Sequence, residues 1–274
     1  MQAYLGAIWK CRFFWLSLVK MDLRSRYRGS LLGLCWSLLH PIAMTTILCV
    51  VFRFAFHQAL DTYAPLVFTG LTFWGFISAS VIQGCGCFFQ GESYIRQFPA
   101  PMAIYPLRNV LGAAFHFGIG IMLAMAIGFV YGPDVREIYG NPSATRFQQL
   151  LSLPSLLPTC LLLLMLGWSL SILFGLLSVR FRDTRHLTEI ALQGMFYLTP
   201  VMYTIDTFKN QQRLTRLLHC NPLVPFLDLI REPILFARVP SLATYAASAA
   251  VVMVSVLLAV AALRIEERRL IFHL

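Results

Sequence analysis

Arg24, Arg26 and Arg28 stand at alternate positions immediately before 24 uncharged residues that end at Arg53. Guanidinium groups donate in a fixed fork to oxyanions, and three of them at the foot of an apolar run suit an anionic membrane leaflet. The remaining chemistry-bearing residues form no recognisable set. No Gly-Lys pair occurs, so there is no phosphate-binding P-loop, and neither His-Glu-x-x-His nor Gly-x-Ser-x-Gly is present. His40, His57, His116, His186, His219 and His273 are isolated. His40 and His116 fall within uncharged runs that offer no carboxylate to share a proton, so they read as neutral, hydrogen-bonded rings rather than a relay. The seven cysteines are scattered, and Cys85-Gly86-Cys87 has neither zinc spacing nor a neighbouring His/Cys cluster. They read as small buried apolar groups, and no metal site is expected.

The elements that must position these residues are membrane helices. Of 274 residues, 58% are hydrophobic and 12% charged, where a soluble domain carries roughly 25% charged residues. The net charge of +10 sits at the ends of apolar runs rather than on one soluble face, which argues for membrane topology and against nucleic acid. After the run that ends at Arg53, uncharged stretches of 30, 25, 33, 16 and 25 residues follow Asp61, Arg108, Arg146, Glu189 and Arg238. A spanning helix needs about 20 residues. Five runs qualify outright, and the 16-residue run is completed by starting near Thr184 and carrying Glu189 at its cytoplasmic end. The expected fold is therefore all-α and integral to the membrane, with six transmembrane helices. With both termini inside, 14 of the 22 Lys and Arg lie on the inner side, and five of the others share one long outer segment, 204–240. This bias predicts N-in and C-in.

The expected organisation is a single transmembrane domain over 1–274. Residues 1–28 form an interfacial amphipathic helix, in which Ile8, Trp9, Phe13, Trp15, Leu16 and Val19 alternate with Lys10, Arg12 and Lys20. The short apolar patch Phe13–Val19 runs into Lys20 and arginine rather than a small-residue cleavage site, unlike a secretory signal. Five spans occupy 29–203, an outer segment 204–240, the sixth span 241–263 and a cytoplasmic tail 264–274. The inner loop 91–108 is punctuated by Pro99, Pro101 and Pro106, yet carries Tyr94, Ile95, Phe98, Ile104 and Tyr105, which reads as a docking surface. Residues 132–150 read as an outer loop that turns at Gly132-Pro133-Asp134. Between the fifth and sixth spans, a short amphipathic helix at about 207–219 and a second, re-entrant helix after Asn221-Pro222 are expected to form a pore mouth.

Four stretches in order carry a family resemblance. DLRSRYRGSLLGLCWSLLHP (Asp22–Pro41) resembles the start of the first membrane helix in polysaccharide-export permeases of ABC transporters, which move lipid-linked O-antigen, capsule or teichoic acid. VRFRDTRHLTEIALQGMFYLTPVMY (Val179–Tyr203) resembles the family's passage from the fourth to the fifth helix, NPLVPFLDLIREPIL its outer segment, and ERRLIFHL its ending. The resemblance implies a non-enzymatic subunit of the bacterial cytoplasmic membrane. It would pair with a second copy and with two ATPase subunits made as separate chains, which hold the ATP and magnesium. Glu92, Tyr94, Ile95, Arg96, Phe98, Ile104, Tyr105, Arg182 and Asp183 would then contact the ATPase. Trp36, Phe52, Phe56, Phe73, Trp74, Phe196, Tyr197, Tyr203 and Phe208 would line the sugar channel or its gate, where aromatic faces meet sugar C–H surfaces. Lipid-facing packing is an equal reading for each ring. Arg24, Arg26 and Arg28 would meet the lipid diphosphate or the anionic leaflet. The alternatives are a permease for a lipid or drug, and a membrane enzyme of lipid-linked sugars. The enzyme would need clustered acids, and Asp22, Glu92, Asp183 and Glu189 are dispersed.

Overall fold

The computed structural model describes residues 2–30, 33–56, 59–97, 100–139, 142–204 and 211–267. Among these are twelve α-helices: α1 (Gln2–Lys10), α2 (Arg12–Tyr27), α3 (Trp36–Phe56), α4 (Leu60–Cys85), α5 (Cys87–Gln97), α6 (Ile104–Tyr139), α7 (Arg146–Ser152), α8 (Leu156–Arg180), α9 (Thr184–Leu198), α10 (Gln212–His219), α11 (Val224–Ile234) and α12 (Leu242–Glu266). The described residues contain no strand. Five segments are long and apolar enough to cross a membrane: α3, α4, α6, the continuous stretch α7–α8, and α12. The run expected to supply a further span folds as α9. Its 15 residues rise only about 22 Å, less than the ~30 Å of a hydrocarbon core.

Two expectations about helix limits are corrected. Residues 1–28 are not one helix: the chain breaks at Cys11, whose backbone leaves the helical region (ψ 15°), and α1 and α2 follow in sequence. The Arg12 guanidinium lies over the exposed rings of Trp9 and Phe13 at 5.6 and 4.6 Å, while Ile8, Leu18 and Val19 are buried on the other side. Nor does the chain turn at Gly132-Pro133. The helix α6 runs through both residues to Tyr139. Proline at 133 removes the donor to Phe129 O from the ladder, and the helix is held beside that gap by Gln149, whose Nε2 donates to Gly128 O (3.0 Å) and to Ile234 O (2.6 Å). Arg136, buried in the same place, donates to Gln149 Oε1.

The bundle is built around α4, which packs between α6 and α8 and is the most buried of the spanning segments. In lipid, burying leucine against leucine gains little over leaving it against acyl chains, so helices associate through close backbone approach and dispersion. The sequence supplies small residues for this at four-residue spacing on α8: Gly167, Ser171 and Gly175. A Cβ on Gly84 would lie 2.7 Å from Ser171 Cα, and one on Gly175 would lie 2.9 Å from Gly84 O. No side chain fits between α4 and α8 at that crossing.

The far end of α4 meets a different device. The chain leaving α9 makes an irregular turn over 199–203, and its carbonyls have no helical partners. Two side chains collect them. Asn221 Nδ2 donates to Leu198 O (3.1 Å) and Thr199 Oγ1 (3.0 Å), while its Oδ1 accepts from Leu223 N just ahead of α11. Arg231 of α11, only 4% exposed, donates to Pro200 O (2.8 Å), Val201 O (2.7 Å) and Leu66 O (3.0 Å). As a guanidinium it stays charged, with only donors to offer those carbonyls. Gly70 makes room: a Cβ there would lie 2.4 Å from Val201 O and 2.9 Å from Arg231 Nη2.

Two stability measurements check this packing. In detergent unfolding, Gly84→Leu is expected to cost about 1–3 kcal/mol or prevent folding, the usual result of overpacking. Gly112→Ala, whose added Cβ meets nothing within 4 Å, is expected to be silent, and equal losses at both sites would contradict the crossing. Arg231→Met keeps the length but strands three buried carbonyls, each costing on the order of 1–3 kcal/mol. Folded yield should collapse, and full recovery with Arg231→Lys would contradict the three-way role.

Candidate functional site

A cavity of about 480 Å³ opens between the end of α2, the start of α3, and the middle of α4 and α6. Its walls combine the polar groups of Arg26, Tyr27, Ser37 and His116 with the rings of Trp36 and Trp74. His116 is its hub. Arg26 Nη1 lies 3.1 Å from His116 Nε2, and a guanidinium only donates, so Nε2 accepts and Nδ1 carries the ring proton. That nitrogen faces Ser37 Oγ (2.9 Å) and Tyr27 Oη (3.0 Å), and the two hydroxyls are 2.7 Å apart. The network ties the arginine-rich end of α2 to α3 and α6. Asp22 and Arg108 form a second tie between α2 and α6. Arg24 and Arg28 are exposed and line a shallow adjoining groove with Lys20 and Phe115.

The nine aromatic residues expected to line a channel separate into distinct environments. Trp36 and Trp74 line the cavity. Trp74 meets Phe196 edge-on at 5.6 Å, Phe196 meets Tyr197 at 5.3 Å, and Tyr203 Oη donates to Tyr197 O, so one aromatic run links α4 to α9. Tyr197 is 59% exposed. Phe52 stacks on Tyr63 at 5.0 Å between α3 and α4. Phe73 is a correction: it is fully buried in the core between helices and lines nothing, because its side of α4 faces α6 and α8. Phe56 is the last residue of α3, and Phe208 lies outside the described residues.

The loop between α4 and α6 also differs from its sequence reading. Ile95, Ile104 and Tyr105 are buried in a cluster with Ile8, Phe88 and Leu176, so their side chains support the loop from within and are not a docking surface. Tyr94 packs edge-on against Phe14 at 6.0 Å. Glu92 and Arg96 remain outward, paired at 3.0 Å, and Phe98 lies outside the described residues. Arg182 and Asp183 are exposed on the neighbouring 181–183 turn. Beside them stand two apolar side chains that sequence reasoning passed over, Phe181 (60% exposed) and Leu187 (67%). Their signal was available: both interrupt a charged stretch. Three of the four dispersed acids are paired, Asp22 with Arg108, Glu92 with Arg96 and Glu189 with Arg185, and no acid stands among the described residues that line the cavity.

All of these features lie at one end of the bundle or along α4. That same end gathers the chain's extremities, with Tyr4 Oη donating to Glu267 (2.9 Å) and Arg180 pairing with Glu266 (3.4 Å). Comparison with known proteins supplies the context. The profile of the ABC-2 type transporter family matches residues 14–236. The chain is 26% identical over 263 residues to the O-antigen export system permease protein RfbA of Myxococcus xanthus, covering 96% of this chain and 94% of that one. It is 26% identical over 213 residues to RfbA of Klebsiella pneumoniae, covering 77% and 76%. It is 24% identical over 217 residues to the polysialic acid transport protein KpsM of Escherichia coli, covering 78% of each. It is a multi-pass protein of the inner membrane, and the match across most of its length, on a helical frame with five apolar spans, establishes that the chain belongs to the ABC-2 type transporter family.

Proposed function

We propose that this chain is the membrane subunit of an ATP-driven exporter that moves a lipid-linked polysaccharide across the cytoplasmic membrane. The observation that carries the reading is the near full-length similarity to a permease named for O-antigen export. The cavity suits such cargo. Arg26 at its edge, with Arg24 and Arg28 in the adjoining groove, offers guanidinium forks to a lipid diphosphate, and Trp36 and Trp74 offer apolar faces to the sugars that follow. The hydrogen-bonded His116 is neutral, so it adds no charge that would hold the polymer back.

A channel for a polymer needs a second copy. Along α3, Leu39, Ile42, Ile47, Val50, Val51 and Phe54 are exposed, and this helix is the least buried of the spans. Lipid covers part of that surface and a symmetric partner the rest. In this reading both termini are cytoplasmic and α9 is a sixth crossing. It stops short where Asn221 meets its last carbonyl, Leu198 O, and Arg231 meets the turn carbonyls that follow, at the level of Leu66 and Gly70, roughly 9–15 Å along α4. Irregular backbone survives at that depth only when protein satisfies it. The helix α11 is then the re-entrant element, and α10 lies on the outer surface.

The energy source is a separate ATPase chain, in two copies, which carries ATP and magnesium. Its seat on this chain is the outward Glu92–Arg96 pair together with Phe181, Arg182, Asp183 and Leu187. Mass spectrometry of the tagged chain purified in mild detergent tests this. A P-loop ATPase is expected at one-to-one ratio. It should be lost from the Leu187→Glu, Arg182→Glu double variant and retained by Trp74→Ala, which should instead slow export. No ATPase at any ratio would contradict the assignment.

A further inference from the structure

Where the two ends of the chain meet, a second cavity of about 290 Å³ lies between α1, α8 and α12. Among the described residues it is walled by Tyr4 and Ile8 of α1, by Trp168 and Ile172 of α8, and by one side of α12 from Val256 to Glu267 at its end. At 1.5 Å per residue that stretch of α12 is about 16 Å long, so the cavity is a slot and not a round hole. It shares no described lining residue with the larger cavity.

The slot is apolar inside and charged at one end. The polar groups in its wall are taken up by neighbouring protein. Trp168 Nε1 donates to Ala103 O (3.0 Å), Ser169 Oγ lies 2.9 Å from Ser255 Oγ, and Tyr4 Oη donates to Glu267 (2.9 Å). What remains to face the space is hydrocarbon, with Ile8, Ile172, Ala259 and Leu263 drawn from one buried cluster. Apolar cavities of this kind stay dry, and an unfilled one forfeits dispersion contacts along its whole lining. Arg264, at the charged end, is exposed and makes no ion pair with a described residue. The acids beside it are engaged elsewhere, Glu266 by Arg180 (3.4 Å) and Glu267 by Tyr4.

The position of the slot selects its occupant. The apolar span of α12 ends at Glu266, so Arg264 stands where hydrocarbon gives way to headgroups, and Val256 lies within the hydrocarbon. The other side of α1 carries the exposed Trp9 with the Arg12 guanidinium over its ring, a pairing of aromatic and basic groups that belongs at the same level. Val256 and Val260 are half-buried at the margin of the slot and Leu257 beside them is exposed, so the slot opens sideways to lipid. A hydrocarbon tail that ends in a phosphate matches such a space end for end. We propose that the slot is a phospholipid site, with one acyl chain between α1, α8 and α12 and its phosphodiester on Arg264. The long, branched chain of a polyprenyl carrier would overrun a slot of this length, so the occupant is ordinary membrane lipid and not cargo. The site stands whether or not the chain exports a polysaccharide.

Native mass spectrometry of the full chain, delipidated in detergent and titrated with lipid, provides the test. The probes are dioleoyl phosphatidylglycerol and dioleoylglycerol, which share their chains and differ in the phosphate, and a polyprenyl phosphate. One phosphatidylglycerol is expected to bind about tenfold more tightly than dioleoylglycerol, the effect of hydrogen bonds to a charged group. Arg264→Gln should weaken phosphatidylglycerol to the level of dioleoylglycerol and leave dioleoylglycerol unchanged, which shows the slot itself intact. Val260→Phe, which fills the slot from its lipid-facing margin, should weaken both, with the unfolding midpoint of the lipid-free chain unchanged or raised. Equal binding of the two glycerolipids, or binding of neither, would overturn the site. A preference that survives Arg264→Gln but is lost in the Arg24→Gln, Arg28→Gln double variant would place the lipid in the groove beside Phe115 and overturn it too. Polyprenyl phosphate bound more tightly than phosphatidylglycerol, and lost in Arg264→Gln and Val260→Phe, would make the slot a cargo site and overturn the phospholipid assignment.

Discussion

A single guanidinium closes the end of the bundle. Arg231 reaches from α11 to three carbonyls, two on the turn after α9 and one inside α4, and so joins elements far apart in sequence. In water those carbonyls would be solvated and the contact worth little. Within a membrane protein they have no other donor, and leaving them unpaired costs several kcal/mol. The rest of the structure accommodates this contact. Gly70 gives up its side chain to let Val201 approach, Asn221 collects the neighbouring acceptors, and α11 is buried along most of its length. Just beyond α11, Ala237 takes a left-handed conformation (φ +53°).

The other half of the bundle is held by absence rather than by bonds. Gly84 faces Ser171 and Gly175 so closely that any added carbon would collide. This is the packing expected of helices in lipid, where contact area and not expulsion of water drives association. It leaves the opposite faces of α3 and α12 uncovered, and it leaves room between α3, α4 and α6 for a cavity that mixes cations, hydroxyls and indole rings. One end is therefore locked by hydrogen bonds and the middle by close contact, while the region around Trp36 and Trp74 stays open as a cavity.

The spanning segments were legible because charge delimits them: the runs after Arg28, Asp61, Arg108, Arg146 and Arg238 all became long apolar helices. The length of α6 was not legible, since Pro133 ordinarily ends a helix, and the contacts that hold this end of it, Gln149 to Gly128 O and Arg136 to Gln149, involve another element. Burial was the second blind spot. Phe73, Ile104 and Tyr105 read as exposed aromatic or apolar groups, but which side of a uniformly apolar helix faces inward depends on neighbours that no periodicity records, and Ile95 is buried by the contacts of α5 with the cluster that holds Phe88 and Leu176. Arg231 looked like an interruption in an apolar stretch, and only its three partners reveal it as the clasp. The cavity's polar hub was half visible: His116 stood out within an uncharged run, but Tyr27 and Ser37 did not.

The proposed export function requires that this chain carry polymer outward. The most direct measurement is made in a strain that lacks only this chain. Lectin or antibody labelling of intact cells, alongside extraction of lipid-linked glycan from spheroplasts, reads both sides of the membrane. Loss of polysaccharide from the surface is expected, with its lipid-linked form accumulating inside, reversed by restoring the chain. Surface polysaccharide at the normal level, with no glycan retained inside, would contradict it.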